Sequence, residues 1–209
     1  MLPLFCDIRQ NTGNLGYGKN VRIRVHKTAV DYPSLEGEAL KIEKIINNNV
    51  VSSQGRDGRE VILMGCGIAF HKKKGEEVDR TKVEKIFYAD NEERNSRLKE
   101  LFSSIPEEHI QLSSEIIDYA RMHLEHQLSD NLYLSLTDHI SMAIERMKSG
   151  IQLKNSLLGE IQKNYAAEFE VGRHAVDMIN ERLHLTLTYE EAGFIALHLI
   201  NAKIVREGN

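Results

Sequence analysis

From Leu40 to Phe87 the chain sets short runs of β-branched residues between asparagine and glycine turns, and this punctuation constrains its fold more than any other feature. Lys41 to Ile46 and Val50 to Ser53 flank Asn47-Asn48-Asn49, and asparagine tolerates the left-handed backbone of a tight reversal. Gly55-Arg56-Asp57-Gly58 marks a second turn before Arg59 to Leu63, so two hairpins share the middle strand. Gly65-Cys66-Gly67 then bends the chain, Phe70 adds an aromatic, Lys72-Lys73-Lys74 a charge cluster, and Val83 to Phe87 a fourth strand. The spacing predicts a small four-stranded antiparallel sheet over residues 40–90.

Beyond the sheet the pattern changes period. Asp90 to Arg97 is polar without apolar periodicity, so residues 91–103 read as a linker running into a helix. Leu98, Leu101, Phe102 and Ile105 form one stripe before Pro106; Ser113 and Ser114 offer an N-cap for a helix to about Gln127, with Ile116, Ile117, Ala120 and Leu124 inward. Leu136-Thr137-Asp138-His139 opens a helix to about Met147, which Gly150 ends. Helices over Leu153 to Phe169, Gly172 to Leu183 and from Tyr189 follow, the last behind a capping box at Thr188-Tyr189-Glu190-Glu191. Residues 104–209 therefore read as a helical bundle, and the chain as an α+β protein with a sheet domain preceding an all-α one.

Composition narrows the function classes. The 209 residues suffice for one or two domains with a real core. With 41% hydrophobic and 28% charged residues and no uncharged apolar run near membrane length, neither disorder nor membrane insertion is expected. Cys6 and Cys66 lie far apart without CxxC spacing, which leaves a disulfide framework or structural zinc with little support and makes a reducing cytoplasm the expected compartment. His123 and His126 stand at i, i+3, but two ligands are too few to predict a metal. No nucleophile elbow, P-loop, Rossmann fingerprint or HExxH marks an enzyme, and no cofactor or catalytic residue is predicted.

The net charge of −4 argues against nucleic acid when taken over the whole chain. Residues 40–90, however, carry ten Lys and Arg against eight Asp and Glu, whereas 91–209 carry twelve against nineteen. The acid belongs to the helical half. Residues 1–39 read as an irregular extension, with Asn11 to Gly18 and the turn Tyr32-Pro33-Ser34; Met1 to Cys6 is too short, and too soon followed by Asp7 and Arg9, for a secretory signal.

The run KIEKIINNNVV, followed by GRE, MGCGIAF, KKK, VD and VEKIF, resembles in order and spacing the amino-terminal RNA-binding domain of the BglG/SacY/LicT family of bacterial transcriptional antiterminators. The resemblance implies that two copies pair through their sheets and grip an imperfect leader mRNA hairpin, whose formation prevents an overlapping terminator. It begins at Leu40, where relatives have their initiating methionine. Residues 1–39 are therefore expected to be an upstream in-frame extension; the alternative is a basic arm touching RNA through Arg22, Arg24 and Lys27.

Each candidate contact has two readings. Lys44 is a solvated strand lysine or, as the resemblance implies, an RNA contact. Asn49 serves the turn, a base edge, or both, since an amide donates and accepts. Gly65, like Gly67, meets a backbone requirement or lets RNA approach closely. Phe70 is core or, by resemblance, a base-stacking platform. Cys66 departs from relatives that carry an RNA-contacting arginine there, which puts affinity and choice of hairpin in question.

LSLTDHI at 134–140, LKNSLL at 153–158 and EEAGFIALHLINA at 190–202 resemble the first phosphotransferase-system (PTS) regulation domain of the same family. The resemblance implies phosphorylation of two histidines, by position His139 and His198, by PTS phosphotransfer proteins: the sugar-specific permease and the phosphocarrier HPr. Neutral imidazole is nucleophilic, and its phosphoramidate stays reactive enough to pass the group on. Asp138 beside His139 would orient or repel. His109, His123, His126, His174 and His184 read as surface or packing residues.

Phosphorylation would add nearly two negative charges to an acidic domain and disfavour the RNA-competent homodimer. Relatives carry a second regulation domain with activating phosphorylation, so a chain ending at Asn209 is either a fragment or lacks response to HPr. The competing reading is a PTS-phosphorylated dimerising sensor that has lost RNA binding.

Overall fold

The computed structural model describes residues 23–26, 40–55, 58–89 and 92–204. Five strands form one antiparallel sheet: β1 (Ile23–His26), β2 (Lys44–Asn47), β3 (Val50–Gln54), β4 (Glu60–Met64) and β5 (Lys85–Ala89), in the order β1-β5-β4-β3-β2. Six helices follow: α1 (Glu92–Ser104), α2 (Glu107–His123), α3 (Leu132–Lys148), α4 (Leu158–Asn164), α5 (Ala166–Leu183) and α6 (Tyr189–Asn201).

The four expected strands are present, with two shifts. Residues 40–43 leave β2 to pair with the loop beyond β4, through Ile42 N–H to Glu76 C=O (2.9 Å) and Val78 N–H to Leu40 C=O (2.7 Å). At the far end, Asp79 accepts bonds from the Thr81 N–H and hydroxyl, capping a 3₁₀ turn at Arg80–Lys82 that delays β5 to Lys85. The irregular reading of residues 1–39 needs correction at Ile23–His26. This segment pairs in register with β5, from Ile23 opposite Ala89 to His26 opposite Ile86, and Val25 N–H donates to Asp130 (3.0 Å). Without β1 the outer edge of β5 would expose an unpaired ladder. The rest of that extension, with Arg22 and Lys27, lies outside the described residues.

Both sheet faces are buried within the chain. Val50, Ile62, Met64 and Phe87 join the helical core, while Val51, Val61, Leu63, Ile86 and Tyr88 form a second core with Leu40, Ile42, Ile68, Val78 and Val83. A strand covered on both sides reads as a continuous apolar run, which is why Val61 to Met64 shows no alternation. Phe87 packs edge-on against Phe102 of α1 and Tyr133 of α3, with centroids 5.3 Å apart in each case.

The helices also differ from expectation at their ends. The polar stretch expected as linker is already helix from Glu92; Asn95 is buried and donates to Glu60 C=O (3.2 Å), and Lys99 pairs with Glu60 (2.8 Å), clamping α1 to β4. Helix α2 starts directly after Pro106 with Glu107 and Glu108 against its positive end, so Ser113 and Ser114 are buried mid-helix and cap nothing. The expected break near Gly172 falls instead at Tyr165. Gly172 lies inside α5, where a Cβ would stand 2.3 Å from the Ala192 oxygen, so its role is close packing against α6. The Thr188 capping box does not form: Thr188 makes no side-chain cap bond, and the Glu191 carboxylate turns toward α3.

One charged group crosses the sheet–helix junction. Lys85, 6% exposed, donates from Nζ to Ser114 Oγ and to Asp118 Oδ2 (2.8 Å), and Tyr133 OH bonds the other Asp118 oxygen (3.2 Å). Lys85→Ala strands Asp118 in this junction. The expected loss is about 3 kcal/mol, the low end for a buried pair because Asp118 is partly hydrated; chemical denaturation reads it, and a loss under about 0.5 kcal/mol contradicts it.

Candidate RNA-contacting turn and histidine pair

The asparagine turn and the glycine turn are built as one unit. Asn47 Oδ1 accepts the Asn49 N–H (2.9 Å), closing the β2–β3 reversal. Asn49 Oδ1 then accepts the Gly67 N–H (2.7 Å), its carbonyl accepts the Gly65 N–H (2.9 Å), and the Asn48 carbonyl accepts the Ala69 N–H (2.9 Å). The Asn49 Nδ2 makes no hydrogen bond among the described residues, so its donor face is available to a ligand. Asn49 thus serves the turn while keeping its amide donor unpaired among the described residues.

Gly65 is required by the chain itself. A Cβ there would meet the Lys82 carbonyl oxygen at 1.6 Å. Gly67 has φ +61°, and the turn it forms delivers Phe70 to the surface with 60% of its area exposed, its ring 4.0 Å from that of His71. Phe70 is therefore outside both cores. Cys66 is an exposed free thiol whose N–H donates to Glu84 (3.0 Å). Lys44 is exposed on the edge strand β2, opposite Ser52, and Lys73 and Lys74 are exposed on the loop beyond Phe70.

Sequence reading missed the carboxylates beside this unit. Asn48 N–H donates to Glu107 Oε1 (2.8 Å) and Asn47 Nδ2 to the Phe102 carbonyl (2.9 Å), docking the turn on α1 and α2. A cleft shared by Asn47, Asn49, Gly65 and Cys66 is walled by Glu84, Glu107, Glu115 and Asp118. Lys85 lines the same cleft, paired with Asp118, and Lys44 and Phe70 lie outside its lining.

The second candidate site lies between α3 and α6. His139 and His198 face each other with centroids 4.8 Å apart, and Phe194 stands 6.1 Å from His139. Both helices supply pairs seven residues apart, His139 with Arg146 and Glu191 with His198, so each pair lies along one helix face. Glu191 Oε1 accepts from Arg146 Nη2 (3.0 Å), and its Oε2 approaches His139 Nε2 to 3.2 Å without the alignment of a hydrogen bond. Asp138, expected to orient or repel, shows no bond to His139 among the described residues; Glu191 takes that place. The signal was the seven-residue spacing, which the capping-box reading of Glu191 obscured.

Burial raises the Glu191 carboxyl, but the adjacent His139 ring and the Arg146 guanidinium outweigh it and hold the group below its usual range. Burial, and then the charge of His139, push His198 down to about 4. Of the remaining described histidines, His109 is buried, His126 and His174 are half-buried, and His71, His123 and His184 are exposed. His109 is buried against Ser141 Oγ (3.1 Å), His126 lies 3.8 Å from Glu168, and His123 and His174 stack on opposite elements against Tyr119. Among the described residues no group of three or more His, Cys, Asp or Glu could hold a metal, and no helix is long and apolar enough to cross a membrane.

A sheet that presents an amide edge and an aromatic is thus joined to helices that carry a half-buried histidine pair. Family models agree in both halves: one described as CAT RNA binding domain matches residues 40–96, and one described as PRD domain matches residues 114–202. Transcription antiterminator LicT of Bacillus subtilis (strain 168) is 44% identical over 168 residues, covering 80% of this chain and 61% of LicT. The beta-glucoside operon antiterminator of Dickeya chrysanthemi is 41% identical over 165 residues, covering 79% and 58%. A crystal structure of GlcT CAT-PRDI superposes with a TM-score of 0.69 at 33% identity, over 79% of this chain and 99% of that one. The chain belongs to the LicT/BglG-type antiterminator family, as the resemblance implied, and spans 61% and 58% of the two curated relatives named here.

The low affinity of His198 for a proton has a measurable consequence. A group whose pKa falls from an ordinary 6.5 to about 4 on folding lends stability that is complete above pH 6.5 and lost as pH drops toward 4. The loss is on the order of 3 kcal/mol. Urea melts between these limits should show it, and His198→Gln should flatten the curve; identical pH profiles for both proteins contradict the assignment.

Proposed function

We propose that this chain is an RNA-binding transcriptional antiterminator that stabilises a leader mRNA hairpin and whose activity is set by phosphorylation of His139 and His198. The observation that carries the reading is the bonded unit of Asn49 with Gly65 and Gly67, which holds a free amide edge beside an exposed aromatic. Residues 40–90 are the RNA-binding part and 104–209 the regulation domain, joined by the α1 segment. Lys44, Asn49, Gly65, Cys66 and Phe70 form the contact surface. Lys44 supplies charge, Asn49 reads a base edge, Phe70 stacks, Gly65 keeps backbone close to the ligand, and Cys66 contributes no charge.

The active species in this reading is a homodimer. Both faces of each sheet are covered within the chain, so pairing uses the open β2 edge or follows release of the sheet from the helices. The sugar-specific permease of the PTS is the phosphoryl donor, response to HPr being assigned to the second regulation domain of relatives, and RNA is bound without chemistry at its bonds. A phosphoryl group beside Glu191 places like charges together in the α3–α6 cleft and shifts that balance. The acidic wall beside Cys66 favours a second reading, a phosphorylated dimerising sensor without RNA affinity.

Gel shifts with imperfect hairpins from the leader of the adjoining operon decide between them. Phe70→Ala should weaken binding by roughly 1–3 kcal/mol, about 5- to 150-fold, while the melting temperature stays unchanged because Phe70 supports neither core. Lys44→Ala should reduce the slope of log affinity against log salt by about 1. Wild-type protein that binds no such hairpin supports the sensor; Phe70→Ala protein that binds as wild type removes the stacking role.

A further inference from the structure

The acceptor reading of His139 leaves a chemical question that its surroundings answer: which ring nitrogen takes the phosphoryl group. The His139 side chain keeps 15% of its surface in water, but its Nε2 is fully buried and faces Glu191 Oε2 at 3.2 Å. Glu191 is itself 6% exposed, and its other oxygen is held by Arg146 Nη2 at 3.0 Å. An ionised carboxylate only accepts hydrogen bonds, so although the two atoms lack hydrogen-bond alignment, a lone pair on Nε2 would lie beside negative charge. A proton on Nε2 relieves that contact. The second ring faces the pair from α6, where His198 stays neutral at physiological pH and adds no competing cation.

We infer that Glu191, positioned by Arg146, keeps the proton of neutral His139 on Nε2 and so makes Nδ1 the nitrogen that receives the phosphoryl group. The inference rests on the reading of His139 as a phosphoryl acceptor. Access agrees with proton placement, because an anionic donor approaching Nε2 would have to displace a buried carboxylate. With phosphoramidate as donor, the Nδ1 lone pair attacks phosphorus, the P–N bond breaks, and the nitrogen leaves with its electron pair as ammonia after taking a proton from solvent. The phosphorylated ring keeps its Nε2–H and carries positive charge, which Glu191 faces. Glu191 and Arg146 are positioning residues for this transfer; neither touches phosphorus. The arrangement repeats the physical logic by which a carboxylate fixes the tautomer of a nucleophilic or basic imidazole on unrelated folds.

Two measurements on the full chain test this. Long-range proton–nitrogen correlation spectra of unmodified protein report the tautomer: a protonated Nε2 and an unprotonated Nδ1 at His139 are expected, and the reverse overturns the inference. Treatment with potassium phosphoramidate, followed by phosphorus NMR and peptide mapping, should show the Nδ1 isomer at His139. In Glu191→Gln and Arg146→Gln proteins, checked for wild-type circular dichroism, that selectivity should be lost and both isomers should appear. Wild-type protein carrying the Nε2 isomer at His139, or variants with the wild-type isomer ratio, overturn the inference and leave His139 an acceptor. Phosphate on His198 alone, or on neither ring, removes the acceptor reading and the inference with it, whatever the tautomer spectra show.

Discussion

The ammonium of Lys85 is the group on which the joint between the two halves depends. A cation taken from water into an apolar interface is tolerated only where its donors are met, and here Ser114, Asp118 and the Tyr133 ring surround it. Those partners lie on α2 and α3, so β5 cannot slide along the helices without stranding charge. Once β5 is fixed, Phe87 meets Phe102 and Tyr133, and the β2–β3 reversal falls against the junction of α1 and α2. The recognition turn is thus held by the helical half from the moment the chain is folded. Arg121 and Asp130 extend the same network to the Val25 backbone, which ties β1 to the helices as well.

The histidine pair depends on a different device, the absence of side chains. Gly172 lets α5 approach the α6 backbone, and Gly193 lets Asn155 and Leu158 close over α6 from another side, where a Cβ would stand 2.7 Å from Asn155 Nδ2. Glu190 receives the Asn155 N–H (2.7 Å), pinning that segment. Helix α6 is therefore pressed from several directions, and Glu191 and His198 are presented to α3 with little freedom.

Much of this was legible in the residues. Asparagine and glycine punctuation located four of the five strands, and the family resemblance singled out His139 and His198, which the fold brings to one cleft. What escaped had a shared cause: local rules were overruled by distant partners. Ser113 and Ser114 look like helix caps, yet α2 begins earlier because Pro106 and two glutamates make a better start, and Ser114 is taken by a lysine 29 residues away. Gly172 looks like a break and is a packing contact. The polar run from Glu92 looks like a linker because its apolar partners begin only at Leu98, but Asn95 and Lys99 find acceptors on β4. The carboxylates flanking the asparagine turn had no local signature at all; only the fold brings Glu107 to Asn48.

Gly65 shows how tightly the glycine turn is fitted to the segment that leads into β5. The Lys82 carbonyl occupies the space where any other residue would place its first carbon, so the backbone at 65 is shaped by a neighbour 17 positions downstream before any ligand arrives. Replacing this glycine would push the segment leading into β5 and, through it, the buried ammonium that locks sheet to helices. Damage at position 65 would then surface as a loosened seam between sheet and helices, since Gly65, Lys85 and Asp118 line one cleft, and mutational maps should weigh position 65 as a hinge pin of the fold.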